Sequence, residues 1–192
     1  SEKRISVAEY ERMYSDGLLT EDDRVELLEG VVRQMEPIGA AHIGCVIALT
    51  RLFANRVPAE LKLLIQSPVE LSADEMPEPD CALLRPDPHD YRERRATPAD
   101  VLLLIEVCDP SLARDMEEKL PRYAAAGIPE IWLVDLPGQR LLRFRAPGGA
   151  AYRRADVLTR GEALAPDACP EAVVTLDEIL GPLSAGPESG GA

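Results

Sequence analysis

Histidine is nearly absent from this chain, with two among 192 residues. A metal centre built from several imidazoles is therefore excluded. Cysteine is sparse too: Cys45, Cys81, Cys108 and Cys169 are scattered without paired spacing. Neither a zinc cluster nor a disulfide framework is indicated, and a reducing, cytoplasmic setting is expected. Long hydrophobic runs are missing. No apolar stretch approaches the ~20 residues needed to span a bilayer, so no membrane partner is expected. The amino-terminal residues lack the apolar centre of a secretory signal. Positive charge is in deficit, since 34 acids outnumber 21 bases for a net charge of −13. That balance argues against avid non-specific nucleic-acid binding, which rests on neutralising phosphates. It leaves room for a local basic surface. Arg92, Arg94 and Arg95 form one cluster, and Arg140, Arg143, Arg145, Arg153 and Arg154 concentrate late in the chain. Solvated surface is the default reading for such arginines.

What the chain does have is apolar residues, 46% of the total, in a length that suits one domain with a sizeable core. One domain over 1–181 with a flexible tail over 182–192 is expected, because GPLSAGPESGGA is linker-like. Residues 101–136, VLLLIEVCDPSLARDMEEKLPRYAAAGIPEIWLVDL, organise the rest. Two short apolar runs, 101–107 and 131–136, read as buried strands. The segment between them reads as a helix, with Asp109 as cap, Pro110 at the first position, Gly127 as left-handed stop and Pro129 beyond. Strand, helix and strand with short joints make a βαβ unit with parallel strands and a right-handed crossover.

Upstream, the Ser6–Glu9 spacing predicts a capping box and a helix over 7–14. Residues 24–28 and 31–35 flank Glu29-Gly30 as a tight hairpin. An amphipathic helix is expected over 41–55, with Ile43, Ile47 and Leu52 on its buried face. LKLLIQ and VELS, separated by Pro68, read as strands, and 80–84 as another. The polar loop 85–100 is long enough to be functional or mobile. Beyond the βαβ unit, 141–145 and 152–157 form an edge meander, and 173–180 a strand start with a terminal helical turn.

Glu106 is the anomaly, a carboxylate inside a strand that otherwise reads as buried. Ionised and unpaired there it would cost on the order of several kcal/mol, so it requires a metal, a cation or water. Leu112, Met116, Leu120 and Tyr123 form the helix stripe that faces the sheet. Lys119 lies about 60° from Met116, at the border of that stripe. Glu106 and Lys119 can meet at the carboxyl end of the strand, where open α/β sheets place their chemistry. With Asp80 they form a set that could hold Mg²⁺ through two carboxylates and offset charge on a phosphate.

These residues resemble the Uma-type endonucleases, a bacterial branch of the PD-(D/E)XK nuclease superfamily. The likeness rests on Pro79-Asp80, on Glu106 in IEVCDPS and on Lys119 in EKLPRYAAAGIPEIWLVDL. RVELLEG from Arg24 matches the family's N-terminal hairpin, His42 matches a histidine on the next helix, and the likeness runs over about 5–180. It implies a restriction-endonuclease-like α/β fold: a mixed sheet flanked by helices, a central βαβ unit and an N-terminal helix-hairpin extension. It also implies Mg²⁺ or Mn²⁺ held by Asp80, Glu106 and the Val107 carbonyl, with Lys119 acting on water or on phosphate charge. Glu26 is a third candidate acid, DNA the substrate and a homodimer compatible with it. The superfamily pattern expects lysine two residues after the glutamate; here Cys108 stands there and the lysine has moved to the helix.

Each residue also has a structural reading. Asp80 could cap a turn at a strand start, Glu106 and Lys119 could form a buried ion pair, and Glu26 could face solvent. His42 reads as a hydrogen-bonded, partly buried histidine, Cys108 as a small buried hydrophobe on Glu106's face, and Tyr123 and Trp132 as core. A silent nuclease scaffold acting in interactions is the alternative function, and a phosphoesterase for RNA or nucleotides a third.

Overall fold

A computed structural model of the chain describes residues 3–109 and 113–183, the side chains of 113–115 apart. The first helix, α1 (Val7–Ser15), starts as its sequence predicts. Ser6 Oγ accepts from the Glu9 amide and the Glu9 carboxylate accepts from the Ser6 amide. The strands β1 (Val25–Leu28) and β2 (Val31–Gln34) pair antiparallel around Glu29 and Gly30, both with positive φ, as a two-residue hairpin requires. Glycine is needed at position 30, because a Cβ there would lie 2.9 Å from Arg4 Cβ and from the Ile5 carbonyl oxygen. Val7 and Tyr10 pack with Val25, Leu27 and Met76, joining helix and hairpin into a small core of their own.

The main sheet has six strands, β3 (Lys62–Ile65), β4 (Cys81–Leu84), β5 (Val101–Cys108), β6 (Glu130–Asp135), β7 (Arg140–Gly148) and β8 (Ala151–Thr159), in that spatial order. Only β5 and β6 run parallel, with Glu106 opposite Leu133; every other pair is antiparallel. The crossover helix α3 (Ala113–Ala125) joins the parallel pair, as the βαβ reading requires. It ends with Gly127 at φ 77, its amide bonded to the Ala124 carbonyl and that of Ile128 to the Tyr123 carbonyl. Asp109, the expected cap, lies just beyond β5, while Pro110 at the expected first helical position and Leu112 lie outside the described residues. The expected tail lies outside them from residue 184 onward. A short ladder of β9 (Ala163–Leu164) and β10 (Val174–Thr175) leads into α4 (Leu176–Leu180).

The sheet has a packed layer on each face. One core joins Leu103, Ile105, Val107, Trp132 and Val134 to α2 (Ala40–Arg56) and α4. The other joins Leu104, Cys108 and Ile131 to Met116 and Tyr123 of α3. Strand alternation therefore puts Glu106 on the α3 face with Leu104 and Cys108.

Two expectations are corrected. On α2 the buried row is His42, Cys45, Val46, Leu49, Leu52 and Phe53, while Ile43 and Ile47 are 44% and 63% exposed. This helix is apolar nearly all round, so helical spacing fits more than one face, and the face carrying Phe53 packs on the sheet. VELS forms no strand. Its amides turn back on the chain, Leu71 and Ser72 donating to the Glu75 carbonyl, and only the Ser72–Glu75 bridge remains. Val69 and Leu71 are buried in the α3-side core all the same. Among the described residues, no helix is long and apolar enough to cross a membrane.

Candidate active site

Glu106 enters the α3-side layer near the carboxyl end of β5 and is buried. Two residues of α3, one turn apart, meet it there. The Tyr123 hydroxyl donates to Glu106 Oε1 at 2.7 Å, and Lys119 Nζ lies 4.0 Å from that same oxygen. Both contacts fall on one carboxylate oxygen, which leaves the other for a ligand. Lys119 is 3% exposed, so its ammonium is enclosed.

Glu26 Oε1 lies 2.9 Å from Lys119 Nζ. Glu26 comes from β1 and is buried, which corrects the solvent-facing reading; its Oε2 accepts from the Glu78 amide at 3.2 Å. Asp80 stands just before β4. It does not merely cap a turn, because Oδ2 accepts from the Val107 amide on β5 at 2.8 Å and Oδ1 lies 3.2 Å from His42 Nε2. His42, buried on α2, leaves Nδ1 without a hydrogen-bond partner. Asp80, Glu106, Lys119, Glu26, Val107 and His42 all line one cleft of about 270 Å³.

The electrostatics follow from burial and acid excess. Burial raises the pKa of Glu106 well above the usual carboxylate range. The Lys119 ammonium opposes that shift, the Asp80 charge adds to it, and the Tyr123 hydrogen bond offsets part of it. Burial, followed by the Glu26 charge, raises Glu78 as well. Glu26, Glu36, Glu78, Asp80, Glu106 and Glu118 line the cleft against Arg24, Arg33 and Lys119. Six carboxylates facing three basic side chains favour a cation over a bare phosphate.

Among the described residues no group of three or more His, Cys, Asp or Glu side chains is arranged to hold a metal ion. Mg²⁺ does not need such a cage, since it commonly takes one or two carboxylates and keeps its remaining waters. The hard oxygens of Asp80 and Glu106 match that preference, and Cys108 carries the one thiol that lines the cleft beside them among the described residues.

Several partners were not legible in the sequence. Tyr123 fills the core with its ring, yet its hydroxyl binds Glu106; its i+4 spacing from Lys119 was the available signal. Glu78 precedes Pro79-Asp80, and no spacing or motif singles it out. Trp132 does serve the core, edge-to-face with Phe53. Many of the clustered arginines are paired with acids rather than simply solvated. Arg94 binds Asp87 and Asp100, Arg95 binds Glu11, Arg143 binds Glu130 and Asp167, and Arg145 binds Asp156 and Asp167.

Comparison with known proteins places the chain by family and by fold. The Uma2 family, described as "Putative restriction endonuclease", matches residues 7–177. Among solved structures, the chain is similar to a "putative nuclease belonging to DUF820" from Anabaena variabilis. The two share 15% sequence identity with a TM-score of 0.71, over 92% of this chain and 97% of that one. At that identity the likeness shows the fold. No curated protein matches the chain.

Proposed function

The chain belongs to the Uma2 family of restriction-endonuclease-like proteins, and from that premise we propose that it is a Mg²⁺- or Mn²⁺-dependent endonuclease that hydrolyses DNA phosphodiester bonds. The observation that carries this reading is the gathering of Asp80, Glu106, Glu26 and Lys119 in one cleft at the carboxyl end of β5. A bound divalent ion would supply Lewis-acid polarisation of a phosphoryl oxygen and a lowered pKa for attacking water.

The chain's own residues do the rest. Asp80 and Glu106 would hold the ion, with the Val107 carbonyl as a further oxygen. The Val107 amide and His42 fix the Asp80 carboxylate, and the Tyr123 hydroxyl fixes that of Glu106. Lys119, aimed by Glu26, would stabilise charge developing on the phosphate or orient water. The test is plasmid cleavage with Mn²⁺. Activity should vanish in Asp80→Asn and Glu106→Gln, and cleavage that survives both substitutions would assign it elsewhere. A homodimer paired through the free edge of β8 would give one site per strand; a monomer mass by light scattering would remove it.

A catalytically silent scaffold is the second reading. It draws on the tight Glu26–Lys119 pair, which can be purely structural, and on Cys108 where the superfamily pattern has lysine. Titration calorimetry separates the two, because a silent scaffold need show no Mn²⁺ affinity that depends on Asp80 and Glu106.

A further inference from the structure

We propose that the β1–β2 hairpin is the arm that grips the nucleic-acid backbone beside the site, with Arg24 and Arg33 as its phosphate contacts and Glu118 as a stand-in that phosphate displaces. This rests on the nuclease reading above and extends it to how the substrate strand is held. The hairpin register sets the geometry. Arg33 sits directly opposite Glu26, so the two side chains project from the same face. Arg24, two residues before Glu26, shares that face by alternation. All three line the cleft. The turn of chain that carries Arg24 is held by its backbone: its carbonyl accepts from the Met35 amide and from Gln34 Nε2. Arg24 itself is exposed at the cleft edge.

Arg33 is paired with Glu118 of α3, and that pair differs from the hairpin's other ties to the helix. Lys119–Glu26 is enclosed on both sides, and Arg122, 15% exposed, holds Glu29 at 2.8 Å and Glu75 at 3.2 Å. Arg33–Glu118 is open to solvent, with side chains 34% and 51% exposed. Exposed pairs contribute little and exchange readily. A phosphate offers the guanidinium a bidentate, doubly charge-assisted replacement. Because Glu26–Lys119 and Glu29–Arg122 tether the hairpin independently, Arg33 can leave Glu118 without detaching it. The need for such contacts follows from the cleft's acid excess, which repels a polyanion unless basic groups meet it at the rim. The occupant is a nucleic-acid strand, since each base serves one phosphate and a repeating polyanion supplies several.

The test measures binding apart from hydrolysis. A fluorescein-labelled DNA duplex is titrated by anisotropy into the Asp80→Asn protein, which blocks turnover, over a series of NaCl concentrations. Arg24→Gln and Arg33→Gln introduced into that protein should each flatten the slope of log K against log salt by about 1, the release of one phosphate contact. Glu118→Gln, which removes one competing carboxylate, should tighten binding by roughly three- to tenfold at low salt. Unchanged slopes for both arginine variants, with unchanged thermal melts, overturn the proposal. Weaker binding by Glu118→Gln overturns the stand-in role. Changed slopes alongside an unaltered protein that never cuts DNA would keep the gripping arm and remove the nuclease reading. Cutting with unchanged slopes would do the reverse.

Discussion

Two buried carboxylates on neighbouring parallel strands contrast a charge whose hydrogen bonds are complete with one that keeps acceptor capacity to spare. Glu130 opens β6 on the α2 face; Glu106 lies near the close of β5 on the α3 face. Both are almost fully enclosed. Glu130 is saturated: Oε2 accepts from Trp132 Nε1 at 2.7 Å and Arg143 Nε at 2.6 Å, and Oε1 from the Asp167 amide at 2.8 Å. Glu106 concentrates its contacts on one oxygen and shares its cleft with five further carboxylates and one enclosed ammonium. A fold stabilises itself with the first kind of site. The second kind is left with acceptor capacity and surplus negative charge, which is what a cation requires.

The contrast breaks most visibly under paired substitutions. Glu106→Gln should abolish Mn²⁺-dependent cleavage by at least a hundredfold while leaving urea stability unchanged or slightly higher, because it removes a carboxylate held well above its ordinary pKa. Glu130→Ala should do the opposite. Removing it leaves Arg143 Nε, Trp132 Nε1 and the Asp167 amide without their acceptor, at a cost of about 3 kcal/mol in urea unfolding, with per-molecule cleavage retained in the folded fraction. If Glu106→Gln destabilises as much as Glu130→Ala, the distinction between the two carboxylates fails.

A finer prediction concerns Tyr123. Tyr123→Phe keeps the ring that packs in the α3-side core and deletes only the donor to Glu106. Stability should fall by about 1 kcal/mol, in line with the net worth of a buried side-chain hydrogen bond. Mn²⁺ affinity by calorimetry should fall by roughly tenfold as Glu106 loses its orientation. An unchanged Mn²⁺ affinity would reduce Tyr123 to a core residue.

The legible parts of the fold were those encoded locally. Gly127 and Pro129 mark a helix stop that no distant contact is needed to read, and the apolar runs around them fix β5 and β6. Alternation along β5 was enough to set Cys108 beside Glu106. The rest needed long-range docking. Glu26 meets Lys119 only because the hairpin packs across α3, and no local pattern encodes that approach. The face of α2 was misread because an all-round apolar helix carries no periodic contrast, although that face is what brings His42 to Asp80. VELS has strand composition, but Pro68 ahead of it and the return to Glu75 leave it as a buried turn.

The smallest predicted effect tests the same rule by pH, at a carboxylate that is saturated but nearer the surface. Asp100 accepts from the Thr97 amide and hydroxyl and from both Arg94 terminal nitrogens. The Arg94 hydrogen bonds, against some burial and with help from Thr97, pull its pKa from 3.8 down to about 2. A depressed folded pKa means the stabilisation is complete above the unfolded value and is lost as pH falls through the folded one. Arg94 is half exposed, so solvent screening reduces the contribution to about 1 kcal/mol. Glu106 has the opposite sign. With its folded pKa raised, it opposes folding increasingly as pH climbs from 4.5 toward that value. Urea unfolding from pH 6 to pH 2 should therefore show Asp100→Asn starting about 1 kcal/mol below the parent and converging with it in acid. Glu106→Gln should start level or above and fall level or below at pH 4. Parallel curves for Asp100→Asn and the parent would mean that saturation does not set the titration of this chain's carboxylates.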